Sequence, residues 1–158
     1  MSIEDIIRIT IEAHDGLKDF NGNPAIPHPL AVGLAGENEL EQKVGFLHDV
    51  VEDSKLTITD LRGRGVEEDV LDAVDLLTHR EGITYQDYVK NIVCSGNLTA
   101  MKVKLYDLYQ NQQRARDTFR TQDFSGKTGE RKLEELKQIV QRHDWAVQYI
   151  QNALAPSR

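Results

Sequence analysis

The chain of 158 residues contains one cysteine, Cys94, so no disulfide can form within it. A covalently stapled scaffold is excluded, and a reducing compartment fits. Long apolar runs are missing: no stretch approaches the roughly 20 residues that a membrane-spanning helix needs. Positive charge is in deficit, with 19 Lys and Arg against 26 Asp and Glu and a net charge of -7. That argues against a nucleic-acid partner, which calls for a basic face. It leaves room for a phosphate ligand, because a bound cation reverses the local sign. The opening residues MSIEDIIRITIEAHDG lack a basic segment followed by an apolar run, and the expectation is a cytoplasmic protein. Repeats, low-complexity tracts and interdomain linkers are also lacking, so residues 1–158 read as a single domain.

What remains is helical patterning almost throughout. Ser2 is placed to cap a first helix with Asp5 three residues on, Ile3, Ile7 and Ile11 form its apolar stripe, and Gly16 is its stop. The segment LKDFNGNPAIPHP is loop by its Gly, Asn and Pro content. Pro29 suits the first turn of a short second helix, which Gly33 and Gly36 weaken. A third helix is expected over Glu39 to Asp53, and a short one capped by Thr57 or Thr59 ends near Gly63. Further helices are expected over Glu67 to Leu77, from Thr84, and from Asn97 to about Arg114. A polar loop, RDTFRTQDFSGKTG, precedes a long last helix with Leu133, Leu136, Val140, His143, Val147, Ile150 and Leu154 at helical spacing. No segment alternates as a strand does. The expected fold class is all-α.

The dipeptide His-Asp occurs three times, at His14-Asp15, His48-Asp49 and His143-Asp144. The middle copy differs in context. Leu40, Val44, Leu47 and Val51 line one side of its helix, and Phe46 and Val50 are apolar on the other, the pattern of a buried helix. His48 and Glu52, and Asp49 and Asp53, are four apart and share faces. Three acids and an imidazole in apolar surroundings need partners, since isolated buried charge is costly. A cation is one solution, and imidazole with carboxylate suits Mn, Fe or Zn. A helix end reaching solvent is the other. His14 continues the first helix's stripe near its C-terminus, where a histidine is favourable, and His143 sits on an apolar stripe. Both have a structural reading, although a nearby site would be in a position to recruit His14. His28 lies between Pro27 and Pro29, which fix its backbone. Asp107 and Asn111 share the helix face opposite Leu98, Met101, Leu105 and Leu108. That face also carries Ala100 and Val103, so both a solvated and a buried setting fit it.

The order AHDG, NGNPAIPHP, FLHDVVEDSKLT, VKLYDLYQN, from about Ala13 to Asn111, resembles the hydrolase domain of RelA/SpoT-type proteins and the small alarmone hydrolases. These belong to the HD phosphohydrolase superfamily. The resemblance implies a compact multi-helix bundle with a divalent metal, usually Mn2+, between central helices, held by His28, His48, Asp49 and Asp107. It implies that Glu52 and Asp53 handle the attacking water and that Asn111 lies near the substrate. Lys18, Lys104 and Arg114 are candidate substrate contacts. The chain departs from the family pattern where an arginine is expected and Asp19 stands, Lys18 being the nearest cation. It departs again at Tyr106, where the family has a small residue beside the last ligand. The implied activity is phosphohydrolysis of a nucleotide, with (p)ppGpp 3′-pyrophosphate hydrolysis first. The alternatives are a phosphatase or nucleotidase acting on another nucleotide, and a silent nucleotide-binding sensor. The implied partner is a small-molecule nucleotide, with no nucleic acid and no membrane.

Overall fold

The computed structural model describes residues 1–156. Among them the chain forms nine helices and no strand, an all-α fold as the patterning implies. No described helix is long and apolar enough to cross a membrane. The chain divides into two compact units, one from Met1 to Asp107 and one beginning at Leu108.

In the first unit α1 spans Ile3–Ala13, and the Ser2 side chain caps it by accepting from the Asp5 N–H. Its buried face is Ile6, Ile9, Thr10 and His14, whereas Ile11 is half exposed. The expected stripe of Ile3, Ile7 and Ile11 is therefore displaced around the helix. Two overlapping apolar stripes were available, and polar groups decide between them. The Thr10 hydroxyl shares its one hydrogen between the carbonyls of Ile6 and Phe46, both at 3.0 Å, so Thr10 can be buried without an unsatisfied donor.

The loop that follows closes on itself. Asp19 accepts through Oδ1 from the N–H groups of Asn21 and Asn23, each at 2.9 Å. Gly22 adopts φ 80°, which favours glycine, and the Ala25 N–H donates to the Leu17 carbonyl at 3.0 Å. The chain then enters α2, Pro27–Leu34. Pro27 takes the first position and Pro29 lies in the first turn as expected, where a missing N–H costs nothing.

Helix α3 spans Glu39–Leu47 and α4 spans Val50–Asp53. The single helix expected over Glu39 to Asp53 is thus broken at His48-Asp49. The His48 ring Nδ1 lies 2.7 Å from the Gly45 carbonyl, the acceptor that an unbroken helix would offer to the Asp49 N–H. Asp49 sits at φ -99°, ψ -6°, the sparsely populated bridge region where active-site residues are often found.

Gly33 and Gly36 do more than weaken α2. An added Cβ at Gly33 would stand 2.2 Å from the Phe46 ring, and one at Gly45 would stand 2.8 Å from the Gly33 Cα and 2.9 Å from the Val32 carbonyl oxygen. Helices α2 and α3 therefore touch backbone to backbone. Helices α5 (Ile58–Gly63), α6 (Glu68–Leu77) and α7 (Tyr85–Cys94) complete this unit with the start of α8, Leu98–Thr121. Thr57 caps α5 in a full capping box with Asp60.

The polar loop expected after Arg114 is mostly helix. Helix α8 runs on to Thr121, and α9 already starts at Gly126 and runs to Leu154. Within the second unit, side chains one turn apart support this polar stretch: Arg120 with Asp117 at 2.8 Å, and the Thr118 hydroxyl with the Arg114 carbonyl at 2.9 Å. Gln112 donates to Asp144 at 2.9 Å, which joins α8 to α9.

Replacing Gly45 by Ala is expected to cost about 1–3 kcal/mol, the usual penalty for overpacking, because backbone rather than a movable side chain stands in the way. Gly63→Ala is the control, since nothing lies within 4 Å of its added Cβ. Urea unfolding monitored by circular dichroism checks both.

Candidate metal centre

Four side chains from three parts of the first unit converge. Helix α2 supplies His28 from its first turn, the α3–α4 break supplies His48 and Asp49, and α8 supplies Asp107. The His28 and His48 rings stand edge to face with centroids 5.3 Å apart, a separation that the α2–α3 glycine contact permits. His28 Nε2 lies 3.0 Å from Asp107 Oδ1 and 3.6 Å from Asp49 Oδ2. His48 Nε2 lies 3.0 Å from Asp49 Oδ2 and 3.7 Å from Asp107 Oδ1. Donor atoms about 2.1 Å from a cation stand about 3.0 Å apart at right angles and about 3.4 Å apart in a tetrahedron. The observed separations fall around these values. His28, His48 and Asp49 form a group able to hold a metal ion.

Hydrogen bonding makes a second, independent test of fit. A carbonyl oxygen only accepts, so the Gly45 carbonyl places a hydrogen on His48 Nδ1. Nε2 is then a lone pair in the neutral ring. That atom is buried and has no hydrogen-bond partner, although it faces an Asp49 oxygen at 3.0 Å. A lone pair set against a carboxylate oxygen is repulsive unless a positive charge stands between them. In a metal site this ring's N–H to a carbonyl is the usual outer support that fixes the ligating tautomer.

Without a metal ion, a second proton on Nε2 supplies that positive charge. For His48, burial opposes the imidazolium, but the charge of Asp49 and the bonding to Asp107 outweigh it and hold the pKa well above the ordinary histidine value. For Asp107, burial raises the carboxyl, but Lys104 and the two histidines overcome this and hold it well below the usual range. Asp49 is lowered in the same way, His48 overcoming its burial. The buried Lys104 gives its ammonium to Asp107 Oδ2 at 2.7 Å and lies 5.1 Å from the centre of the Tyr88 ring. Its charge is engaged at the cluster.

Glu52 and Asp53 follow on α4. Burial raises the pKa of both, and the charge of Asp49 raises them further. Glu52 Oε1 accepts from the His79 backbone N–H, and the His79 ring stacks on Tyr88 at 4.6 Å. Asp53 Oδ2 lies 3.8 Å from His14 Nε2. Neither His14 nor His79 was assigned a functional place from the sequence. His14 carried the His-Asp signal but looked like a structural residue, whereas a backbone donor such as His79 leaves no trace in side-chain spacing.

Lys18 lines a cavity of about 250 Å³ with His14 and the apolar Ile11, Leu17, Pro24 and Ile26. Asp19, at the place of the missing arginine, is occupied in closing its own loop. The Tyr106 hydroxyl bonds to the buried Glu41 at 2.9 Å. Asn111 and Arg114 lie in the second unit, where the Arg114 guanidinium donates to Asn111 Oδ1 at 2.5 Å.

A buried His/His/Asp group between helices of an all-α fold is a candidate metal centre. The solved structure of a metazoan ortholog of SpoT, which hydrolyzes ppGpp and plays a role in starvation responses, superposes with a TM-score of 0.63 at 20% identity, over 94% of this chain and 92% of that one. The likeness gives the fold, which this chain shares over nearly its whole length. In sequence, a GTP pyrophosphokinase of Streptomyces coelicolor is 37% identical over 92 residues, 56% of this chain and 10% of that protein. A chloroplastic protein of Oryza sativa named as GTP diphosphokinase RSH1 is 40% identical over 58 residues, 34% of this chain and 6% of that protein. The chain spans a tenth or less of the length of these curated relatives. No protein-family model matches it.

Cation binding is expected to release protons near neutral pH. Without a cation, His48 is held protonated above its ordinary range, and a ligating imidazole must lose that proton. Calorimetric titration of Mn2+ in two buffers of different ionisation enthalpy measures this. Equal heats in both buffers would mean that no proton leaves.

Proposed function

We propose that this protein is a metal-dependent phosphohydrolase of nucleotides, with (p)ppGpp 3′-pyrophosphate hydrolysis as its reaction. One observation carries the reading: a buried pair of imidazoles whose donor atoms face two carboxylates in the spacing of a coordination sphere. The fold likeness to a SpoT ortholog that hydrolyzes ppGpp supports the choice of substrate. On this reading His28, His48, Asp49 and Asp107 hold the cation, Mn2+ as the family resemblance implies among the Mn, Fe or Zn that a mixed imidazole and carboxylate set suits, and residues 1–158 act as one cytoplasmic domain. A divalent cation bound there supplies neutralisation of phosphate charge and a lowered pKa for water.

The protein's own residues do the rest. Lys104 pins one oxygen of Asp107, so the other is directed at the histidines. The His79 N–H fixes Glu52 through Oε1. With their pKa values raised by burial and by Asp49, Glu52 and Asp53 are stronger bases than ordinary carboxylates and suit proton removal from water. As water attacks the 3′-linked phosphorus, the bond from that phosphorus to the 3′ oxygen breaks, the 3′ oxygen gains a proton, and pyrophosphate leaves. The apolar cavity beside Lys18 offers a surface for a base next to a cation. Asn111 and Arg114 are further substrate contacts on this reading.

A second substrate is favoured by one feature. Asp19 is committed to its loop, so no arginine fork is available there, and a lysine does not reproduce its two-pronged contact. A nucleotidase or phosphatase acting on a different nucleotide fits that departure.

The test is elemental analysis of the purified protein, followed by incubation of the Mn-loaded protein with ppGpp, pppGpp and common nucleotides and chromatography of the products. Pyrophosphate from ppGpp is the expected result. Cleavage of another nucleotide alone moves the assignment to the second substrate, and no cleavage across the panel removes the hydrolase reading. Asp49→Ala is expected to lose both metal and turnover. Glu52→Gln is expected to keep the metal while kcat falls about 100-fold or more, the range for a positioned proton-transfer group. Full activity in Glu52→Gln would take the water-handling role away from that residue.

A further inference from the structure

The last turn of α1 holds a second buried imidazole set up like that of His48. His14 is 3% exposed. Its Nδ1 lies 2.8 Å from the Thr10 carbonyl, an oxygen that only accepts, so Nδ1 carries the hydrogen. Its Nε2 is therefore a lone pair in the neutral ring, buried and without a hydrogen-bond partner. Burying such an acceptor unpaired costs free energy comparable to a lost hydrogen bond. The other buried positions of α1 do not partner it: Ile6 and Ile9 are aliphatic, and the Thr10 hydroxyl is spent on the Ile6 and Phe46 carbonyls. The group facing Nε2 is the carboxylate of Asp53, with Oδ2 at 3.8 Å. That is too long for a direct hydrogen bond, and it is the reach of a small side-chain rotation or of one bridging water.

We propose that His14 is a positioning residue for Asp53: its Nε2 accepts one hydrogen of a bridging water whose other hydrogen goes to Asp53 Oδ2, and so holds that oxygen and leaves the other carboxyl oxygen to face the reacting water. The inference rests on the reading that Asp53 handles that water. The geometry links α1 to the reaction through a residue outside the set of cation-holding groups. It also explains the difference between the His-Asp copies. Asp49 follows its histidine and joins the same cluster, whereas His14 serves an acid 39 positions further along the chain and its own neighbour, Asp15, is exposed. In the reaction Asp53 takes a proton from water. That proton lands on the oxygen facing the attacking water and passes to the leaving oxygen, while the bridging water keeps Oδ2 in place, so His14 is neither consumed nor changed in charge.

Two variants separate this role from a structural one. His14→Asn retains an N–H near the place of Nδ1 for the Thr10 carbonyl and removes Nε2. His14→Gln restores a polar group near the place of Nε2. With ppGpp as substrate and Mn2+ present, His14→Asn is expected to lower kcat about 10- to 100-fold, the size of effect seen for outer supporting partners. KM and bound metal should remain within about twofold of the parent, and His14→Gln should recover most of the loss. Unchanged kcat in His14→Asn, or an equal loss in both variants together with lost metal, overturns the proposal.

A second readout does not depend on turnover. In the full chain with diamagnetic Mg2+, long-range proton–nitrogen NMR correlations of His14 should report the Nδ1–H tautomer, and Asp53→Asn should shift the Nε2 resonance. An Nε2 resonance indifferent to Asp53→Asn overturns the pairing. If the parent protein leaves ppGpp intact while the NMR shift is seen, the substrate assignment fails and the His14–Asp53 pairing stands.

Discussion

The contact between Gly33 and Gly45 is the constraint on which the centre depends. Two helices approach this closely only where no Cβ intervenes, and here each glycine faces backbone or a buried ring of the other helix. The approach sets the His28 and His48 rings 5.3 Å apart. Prolines at both sides of His28 and the break in the α3–α4 helix at His48-Asp49 then aim the donors inward. Apolar burial of Val32, Val44, Phe46 and Leu47 around the contact holds it shut, since each such side chain contributes roughly 1.5–3 kcal/mol on burial. The centre is thus paid for by ordinary core packing rather than by interactions of its own.

Electrostatics acts in the opposite sense. Buried carboxylates and imidazoles brought this close are costly to desolvate, and the fold answers with partners on every side. Lys104 neutralises Asp107, the Gly45 and Thr10 carbonyls fix the tautomers of His48 and His14, and the His79 N–H satisfies Glu52. What is left is the place between His48 Nε2 and Asp49, which a proton fills without a metal ion and which a cation would take over. The second acid, Asp53, has only His14 as its imidazole neighbour within 4 Å among the described residues.

Much of this was legible in the sequence. Caps at Ser2, Thr57, Thr84 and Asn97 lie where side-chain chemistry puts them, and the context of His48-Asp49 distinguished it from the other His-Asp copies. The convergence of His28 and Asp107 on that pair was implied by resemblance alone, because residues 79 positions apart leave no local pattern. Three features escaped for physical reasons. The helix break at His48-Asp49 arises from a side chain competing for a backbone acceptor, which periodicity does not encode. The polar segment after Arg114 is helical because Ala115, Arg116 and Arg120 are good helix formers and side chains such as Arg120 and Asp117 pair one turn apart, although its lack of an apolar stripe reads as loop. The face of α1 was misplaced because two stripes overlap and Thr10 is buried by sharing its hydroxyl hydrogen between two carbonyls.

The claim that a divalent cation completes the cluster is tested most directly by anomalous diffraction at the manganese edge from crystals of the Mn-loaded protein. The account predicts one anomalous peak about 2.0–2.2 Å from the ligating atoms, namely His28 Nε2, His48 Nε2 and the facing oxygens of Asp49 and Asp107. A peak held by Glu52 and Asp53 instead, or a fully loaded crystal with no peak among these four side chains, would contradict it.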